Sequence, residues 1–233
     1  MKVRAKQFIP YLVLSVVLSL FTQALWGASK EDDEKTLSNA VTVLQAMTHS
    51  KDVPHSVIAK ADCIIILPSV KKFAVGIGGT GGRGPMSCRT GKDFSGKWST
   101  PALYSIGGAS AGLQIGGTAT DYILLIMTSA AADKALNGKI KVGSDATAAL
   151  GPGASAGSAV GGADILTYSR TSGAFAGVSL NGATLDPDDN ANKRLYGEEV
   201  SAKDIVSGGK VKATPGGRSL VSVLDTSAGT KKQ

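Results

Sequence analysis

Apolar and polar positions recur with helical spacing at both ends of the chain and with strand-like spacing in the middle. From Glu31 to Met47 the apolar spacing is helical, and four acidic residues fill the first turn, where the helix dipole favours negative charge. The apolar face of this predicted helix comprises Leu37, Ala40, Val41, Leu44 and Met47. We expect this face to pack on a core, with a helix lying on a membrane surface as the alternative.

The middle of the chain contains short apolar or alternating runs that are bounded by glycine. Cys63 to Leu67 is a continuous, mostly β-branched run that ends at Pro68, which predicts a strand buried on both faces. The pair Asn181-Gly182 is typical of a two-residue hairpin turn. Further strands are predicted at Phe73–Ile77, Leu113–Ile115, Tyr122–Met127, Ile165–Ser169 and Phe175–Leu180.

Shorter helices are predicted around this strand-rich region. Pro54 opens a short helix to about Lys60, and Ser129 caps a helix through Leu136 with Gly138 past its end. Weaker helical patterns cover Thr184–Tyr196 and Ser219–Leu224. The pattern therefore predicts a single α+β domain, with an antiparallel sheet or barrel-like core flanked by helices.

The N-terminus has the layout of a secretory signal peptide. Three basic residues precede an apolar run from Tyr11 to Phe21, which is short for a membrane span. Cleavage after Ala24 places small or short side chains at the positions that signal peptidases read. We predict a signal peptide over residues 1–24, a mature domain over 25–233, and a periplasmic or secreted location.

Export changes the charge of the chain. The 233 residues carry 25 Lys plus Arg and 18 Asp plus Glu, a net charge of +7, and removing Lys2, Arg4 and Lys6 lowers it to +4. This mild excess permits contact with acidic surfaces but does not indicate nucleic-acid binding. A hydrophobic content of 42% excludes a disordered chain.

The segment Gly76 to Gly81 matches the dinucleotide-binding pattern G-x-G-x-x-G. That function requires a helix immediately afterwards, so that the helix dipole meets the pyrophosphate. The chain continues instead with Gly82-Arg83-Gly84-Pro85, which does not start a stable helix. We therefore interpret the segment as a glycine-rich strand or turn and predict no nucleotide cofactor.

Hydrolase-like G-x-S-x-G motifs surround Ser110 and Ser155. In the hydrolases that use this motif the catalytic His follows the Ser, whereas His49 and His55 both precede these serines. An order of His55, Asp62 and Ser110 would fit a different kind of triad, but nothing in the sequence places the three together. We predict that the protein is not an enzyme.

Metal ligands are scarce. Two Cys cannot form a four-thiolate zinc site, and two His leave little room for metal binding by histidine. The acidic segment Asp186 to Asn190 lacks the Gly and Glu that a calcium-binding EF-hand loop requires at its sixth and twelfth positions. We interpret this segment as a turn followed by a helix cap, and predict no metal.

Cys63 and Cys88 are 25 residues apart and lie on or beside neighbouring predicted strands. In an exported protein such a pair forms a disulfide or remains as two separate thiols, and the sequence leaves both alternatives open.

Basic residues concentrate in one part of the chain. Five of them lie within 22 residues, namely Lys71, Lys72, Arg83, Arg89 and Lys92, and Arg170 follows in a predicted turn. Arg presents a fork and Lys a point charge to phosphate, and the intervening glycines let backbone N–H groups approach an anion. These six residues are the predicted anion-binding set, with a solvated basic sheet edge as the alternative.

Several segments together resemble the SYLF domain family of lipid-binding proteins over about Glu34 to Leu224, and their order and spacing are specific to it. The segments are Ala61–Pro68, Gly76–Gly79, Trp98–Pro101, Gly112–Gly116, Asp121–Met127, Val142–Asp145, Gly151–Pro152, Tyr168–Arg170, Gly173–Leu180 and Asn192–Gly197. Two positions depart from the family pattern: Gly81 replaces an aromatic residue and Pro85 an apolar one.

The resemblance implies a non-enzymatic domain that binds lipids. Animal members bind phosphoinositides, and fungal members also bind actin, which predicted export makes an implausible partner here. The leading hypothesis is an exported protein that engages anionic lipid headgroups or a membrane surface through its basic residues. The alternative is a structural or protein-interaction module of the cell envelope, whose protein partners the sequence does not name.

Overall fold

An antiparallel sheet lies between two layers of helices in the computed structural model, which confirms the predicted α+β class. The structure describes residues 28–75, 77–111, 116–142, 147–149, 163–171, 174–175, 180, 182–197, 199–207 and 209–228. The predicted signal peptide and the predicted strand Leu113–Ile115 lie outside these residues, as does most of Phe175–Leu180.

Six α-helices and nine strands form within the described residues. The helices are α1 (Lys30–His49), α2 (His55–Ile58), α3 (Ser129–Asn137), α4 (Asp189–Tyr196), α5 (Ala202–Val206) and α6 (Pro215–Ala228). The strands are β1 (Cys63–Val75), β2 (Ile77–Cys88), β3 (Ala102–Ala111), β4 (Gly116–Ile126), β5 (Ile140–Val142), β6 (Thr147–Ala149), β7 (Ile165–Thr171), β8 (Ala174–Phe175) and β9 (Ala183–Pro187).

The strand order is β5-β9-β3-β2-β1-β4-β7-β6, and β8 pairs with β7. Among the described pairs, β6 and β7 run parallel and the other pairs are antiparallel. The long strands β1 to β4 therefore form the centre of the sheet, with β1 between β2 and β4.

Strand β1 is buried on both faces, as its continuous apolar sequence predicts. Ile64 and Ile66 pack in a cluster with residues of α1, α2 and α6, whereas Ile65 and Leu67 pack in a second cluster with residues of α3 and α5. We call the first side of the sheet the α1 face and the second the α3 face. Side chains alternate between these faces along each strand.

The predicted end of β1 at Pro68 is wrong. The strand continues to Val75, with a register shift between Leu67 and Val70 that accommodates the proline, which has no N–H to donate. The predicted separate strand Phe73–Ile77 instead spans the end of β1 and the start of β2.

Several other boundaries differ from the sequence predictions. Thr128, not Ser129, caps α3, since its side chain accepts from the Ala131 N–H. The first part of the predicted helix Thr184–Tyr196 is strand β9, and α6 extends beyond Ser219–Leu224 at both ends. Strand β3 and helix α5 were not predicted.

The N-terminal helix matches its prediction closely. Ser29 caps α1 and forms a reciprocal capping box with Asp32, and Leu37, Ala40, Leu44 and Met47 are buried. In the portion of the chain that the structure describes, no helix combines the length and hydropathy needed to cross a membrane.

Candidate functional site

The candidate site lies on the α1 face, where β1 bends at Pro68 and Ser69. Ser69 has a positive φ of 49°, and its backbone N–H donates to Asp121 Oδ1 on β4 at 2.8 Å. This bond anchors the bend to the neighbouring strand. The register then resumes at Val70.

Lys71 projects from a row of small residues that crosses four strands. In the register, Gly107 pairs with Gly81, Gly81 with Lys71, and Lys71 with Ala119. No atom lies within 4 Å of the position that a Cβ would take at Gly81 or Gly107. Lys71 itself is exposed. Since its neighbours in the row are small, the surface around Lys71 carries few side chains.

A groove of about 360 Å³ separates this row from α1. We call it the Lys71 groove, and its walls are formed by Thr36, Asn39, Pro68, Ser69, Lys71, Gly81, Gly82 and Arg83. Its polar groups are two cations, two hydroxyls and one amide, a set that suits an anion with several acceptor oxygens.

Arg83 takes part in a buried ion-pair network at the rim of this groove. Its Nη1 lies 3.0 Å from Asp33 Oδ1 and 3.4 Å from Asp188 Oδ2. Arg194 binds the same Asp33 carboxylate through Nε at 2.7 Å and Nη2 at 3.1 Å. The side chain of Asp33 is 0% exposed, so this network joins α1, β2 and α4, and Arg83 contributes to both the groove and the fold.

Lys72 lies on the opposite side of the sheet from Lys71, because Val70 and Lys72 share the α3 face. Lys72 is half-buried, and desolvation lowers the pKa of its ammonium group. The two lysines are adjacent in the predicted anion-binding set, but strand alternation separates them.

Arg89 is buried in the fold and does not lie on the surface. It is 1% exposed, and its guanidinium group donates to the carbonyl oxygens of Ala59, Ala61 and Gly96 while stacking 4.4 Å from the ring centroid of Trp98. Burial lowers the pKa of Arg89, and the charges of Asp225 and Asp62 oppose that shift. Arg89 is therefore not part of the candidate site.

Lys92 and Arg170 complete the predicted set. Lys92 is exposed in a short 3-10 turn, Lys92–Phe94, on the connection between β2 and β3. Arg170 is the cross-strand partner of Asp121 on β7, which places it on the same face as Lys71. Its Nε is buried and has no hydrogen-bond partner among the described residues.

The structure thus brings Lys71 and Arg83 to one groove and puts Arg170 on the same face, while Lys72, Arg89 and Lys92 lie elsewhere. The acidic partners Asp33 and Asp121 were not among the predicted site residues. Asp33 had a signal in the sequence, because it lies four residues before Leu37 on the apolar face of α1, where a charge requires a buried partner.

Cys63 and Cys88 are direct cross-strand partners in the register of β1 and β2. Both are fully buried, and their sulfur atoms form a disulfide in the structure. The next rung is the backbone bond from Arg89 N–H to the Asp62 carbonyl at 2.8 Å. This end of the hairpin is therefore joined covalently.

The described residues of the motifs that could suggest nucleotide binding, calcium binding or catalysis take part in the fold. Ile77 to Gly81 form the first part of β2, which continues through Gly82 without a helix, and Asp188 caps α4 by accepting from the Ala191 N–H at 3.0 Å. Asp62 accepts from Ser129 Oγ at 3.0 Å, and His55 Nδ1 lies 2.7 Å from the Ser227 carbonyl. Ser155 and the Ser110 side chain lie outside what the structure describes. No group of three or more potential metal ligands occurs within the described residues.

The fold and the groove define an α+β domain with a basic groove on one face of its sheet. The family model Ysc84, described as Las17-binding protein actin regulator, matches residues 107–227, just over half of the chain. The chain therefore belongs to the Ysc84 family, which is the SYLF family that the sequence resembles.

Curated relatives agree with this assignment. An SH3 domain-containing protein of Schizosaccharomyces pombe is 34% identical over 181 residues, 75% of this chain and 41% of the relative. LAS seventeen-binding protein 3 of Saccharomyces cerevisiae is 30% identical over 201 residues, 83% of this chain and 43% of the relative. SH3 domain-containing YSC84-like protein 1 of Homo sapiens is 34% identical over 163 residues, 68% of this chain and 46% of the relative. The chain thus spans less than half the length of these relatives.

Proposed function

We propose that this Ysc84-family protein binds anionic lipid headgroups at the Lys71 groove, without catalysing a reaction. The observation that carries the proposal is the row in which Lys71 stands among Gly81, Gly107 and Ala119. A surface with few side chains lets a membrane approach the backbone closely, and a lysine near an anionic surface contributes about 1 kcal/mol.

Arg170 extends this surface across the sheet toward β7. Arg170 is half-buried and is the cross-strand partner of Asp121, which also holds the bend at Ser69. Arg83 supplies a third charge, restricted by its ion pairs to Asp33 and Asp188.

The proposed setting is the periplasm or the exterior of the cell, because of the signal peptide predicted over residues 1–24. No cofactor and no metal enter the proposal. Actin is not a proposed partner, since predicted export separates the protein from it.

Flotation with phosphatidylcholine vesicles, with and without phosphatidylglycerol or a phosphoinositide, tests this function. We expect binding to the anionic vesicles, about fivefold weaker in Lys71→Gln and in Arg170→Gln, and weaker still at high salt. Lys92→Gln is the matched control, since Lys92 is exposed but lies outside the groove. Equal behaviour of all vesicles, or an equal loss in the control, would contradict the proposal.

A second function, a protein-interaction module of the envelope, is favoured by the name of one relative, LAS seventeen-binding protein 3. It predicts a stoichiometric protein partner in cross-linked envelope preparations and no preference for anionic vesicles. The flotation experiment and the cross-linking experiment therefore separate the two functions.

A further inference from the structure

A second cleft lies on the α1 face, between α6 and the segment before β3, and it is distinct from the Lys71 groove. It encloses about 550 Å³. Its walls are formed by Trp98, Thr100, Ala213, Arg218, Val221, Ser222, Asp225 and Thr226. We call it the α6 cleft.

One stripe of α6 forms a wall of this cleft. Arg218, Val221, Ser222 and Asp225 are spaced at i, i+3, i+4 and i+7, which places them on the same side of the helix. The stripe therefore presents a cation, then an apolar side chain and a hydroxyl, and then an anion. Two helical turns separate the charged residues by about 10 Å along the axis.

Arg218 and Asp225 are both exposed. Among the described residues, neither of them forms an ion pair within 4 Å. Arg218 donates through Nη1 to the Ala213 carbonyl at 2.8 Å. Asp225 interacts electrostatically with Arg89, which stacks on Trp98 behind the cleft. Each side chain is thus positioned by its surroundings but retains capacity for a ligand.

Trp98 supplies an independent observation on the opposite wall. The residue is 4% exposed, and its indole Nε1 is a buried donor with no hydrogen-bond partner among the described residues. Buried donors without an acceptor are rare in native proteins. The Trp98 wall of the cleft therefore holds a donor whose acceptor is missing among the described residues.

We propose that the α6 cleft binds a small zwitterion, with its anionic group at Arg218 and its ammonium group at Asp225. This orientation places the anion toward the N-terminus of α6 and the cation toward its C-terminus, which the helix dipole also favours. Because Arg218 and Asp225 are two helical turns apart, a ligand that contacts both must carry its two charges at opposite ends of a short linker. Phosphorylethanolamine and short ω-amino acids have this form, with a methylene linker that suits Val221.

Trp98 also provides the readout. The chain contains two tryptophans, and Trp26→Phe leaves Trp98 as the single emitter. We expect phosphorylethanolamine or γ-aminobutyrate to produce a saturable change in Trp98 emission. Butyrate, butylamine and inorganic phosphate, which carry one kind of charge, should bind at least about tenfold more weakly.

Neutralising either charge tests the orientation. Arg218→Gln and Asp225→Asn should each weaken binding of the zwitterion by about tenfold, whereas Lys212→Gln and Asp133→Asn, which are exposed outside the cleft, should not. Because all four side chains are exposed, unchanged melting temperatures will show that the variants fold. No emission change, equal binding of the singly charged compounds, or binding that both cleft variants retain would overturn the proposal.

The source of the zwitterion is decided by a final comparison. Emission changes with phosphatidylethanolamine vesicles that compete with soluble phosphorylethanolamine would identify a lipid headgroup. Binding of the soluble compounds alone would identify a free metabolite. Lys71→Gln should leave either result unchanged, so this test fails or succeeds independently of the proposed function.

Discussion

Replacing Asp33 with asparagine tests how the first helix is held to the sheet. The Asp33 carboxylate is fully buried and is contacted by Arg83 at 3.0 Å and by Arg194 at 2.7 and 3.1 Å. The Asp33→Asn substitution would preserve the shape of the side chain but remove its charge, and the new amide nitrogen would face guanidinium donors. Two cations would then share a site in which Asp188 is the remaining carboxylate within ion-pair distance of Arg83.

The expected loss in the free energy of unfolding depends on how deeply Asp33, Arg83 and Arg194 are buried. Removing one partner of a buried ion pair typically costs about 3–5 kcal/mol. Both guanidinium groups are 28% exposed, so water partly compensates them and the lower end applies, about 3 kcal/mol. For a domain of this size, that loss corresponds to a decrease in Tm of roughly 10 °C.

Urea unfolding of the full chain, followed by circular dichroism, measures the free energy of unfolding. Glu31→Gln is the control, because Glu31 is an exposed acid in the same helical turn and should change stability by less than about 0.5 kcal/mol. A double variant with Arg194→Met should recover part of the loss, since it removes one of the uncompensated cations. If Asp33→Asn and Glu31→Gln lower the free energy of unfolding by the same amount, the network does not hold α1 to the sheet.

Three further predictions follow from the sheet. Gly84→Ala should lower the free energy of unfolding by at least about 2 kcal/mol, because its Cβ would lie 2.9 Å from the Ile66 carbonyl carbon. Gly81→Ala is the control, and it should change the free energy of unfolding by less than about 0.5 kcal/mol. Reducing the Cys63–Cys88 disulfide, measured by urea unfolding with and without reductant, should cost about 3 kcal/mol for its separation of 25 residues. Burial raises the pKa of Tyr122 and Tyr168 to about 12, so these side chains contribute stability that is complete below pH 10 and is lost as pH rises toward 12. Tyrosinate absorbance should therefore appear near pH 10 in the unfolded chain but only above about pH 11 for these two residues in the folded protein.

Local patterns predicted the elements whose cause is local. The spacing of apolar residues predicted α1 nearly to its ends, and the burial of β1 on both faces followed from its continuous apolar run. The bend at Pro68 was not predictable in the same way, because it depends on Asp121, which is 52 residues distant from Ser69. Strand β3 was missed since its glycine-rich half lacks an alternating pattern.

Proximity in sequence was a poor guide to the candidate site. Lys71 and Lys72 are adjacent, yet a strand sends them to opposite faces. Arg89 lies at the far end of the same hairpin, where its charge is used internally by backbone carbonyls. Arg170 is distant in sequence but shares the face of Lys71, because its partner Asp121 lies two residues along β4 from Ala119, the partner of Lys71. The register of the sheet, and not the number of intervening residues, determines which cations act together.

The two ends of the β1–β2 hairpin have different roles: one end stabilises the fold, and the other carries the proposed binding surface. One end is fixed by the Cys63–Cys88 disulfide and by Arg89, and a register shift divides it from the end that carries Lys71 and Gly81. Glycines at the second end bury little apolar area, so that end needs support from elsewhere, and α1 supplies it through Asp33 and Arg83. Substitutions at Lys71 should therefore change lipid affinity without changing Tm, whereas loss of the disulfide should lower Tm and leave the affinity of the folded protein unchanged. Asp33→Asn is expected to affect both, because the same helix forms a wall of the groove and covers the core.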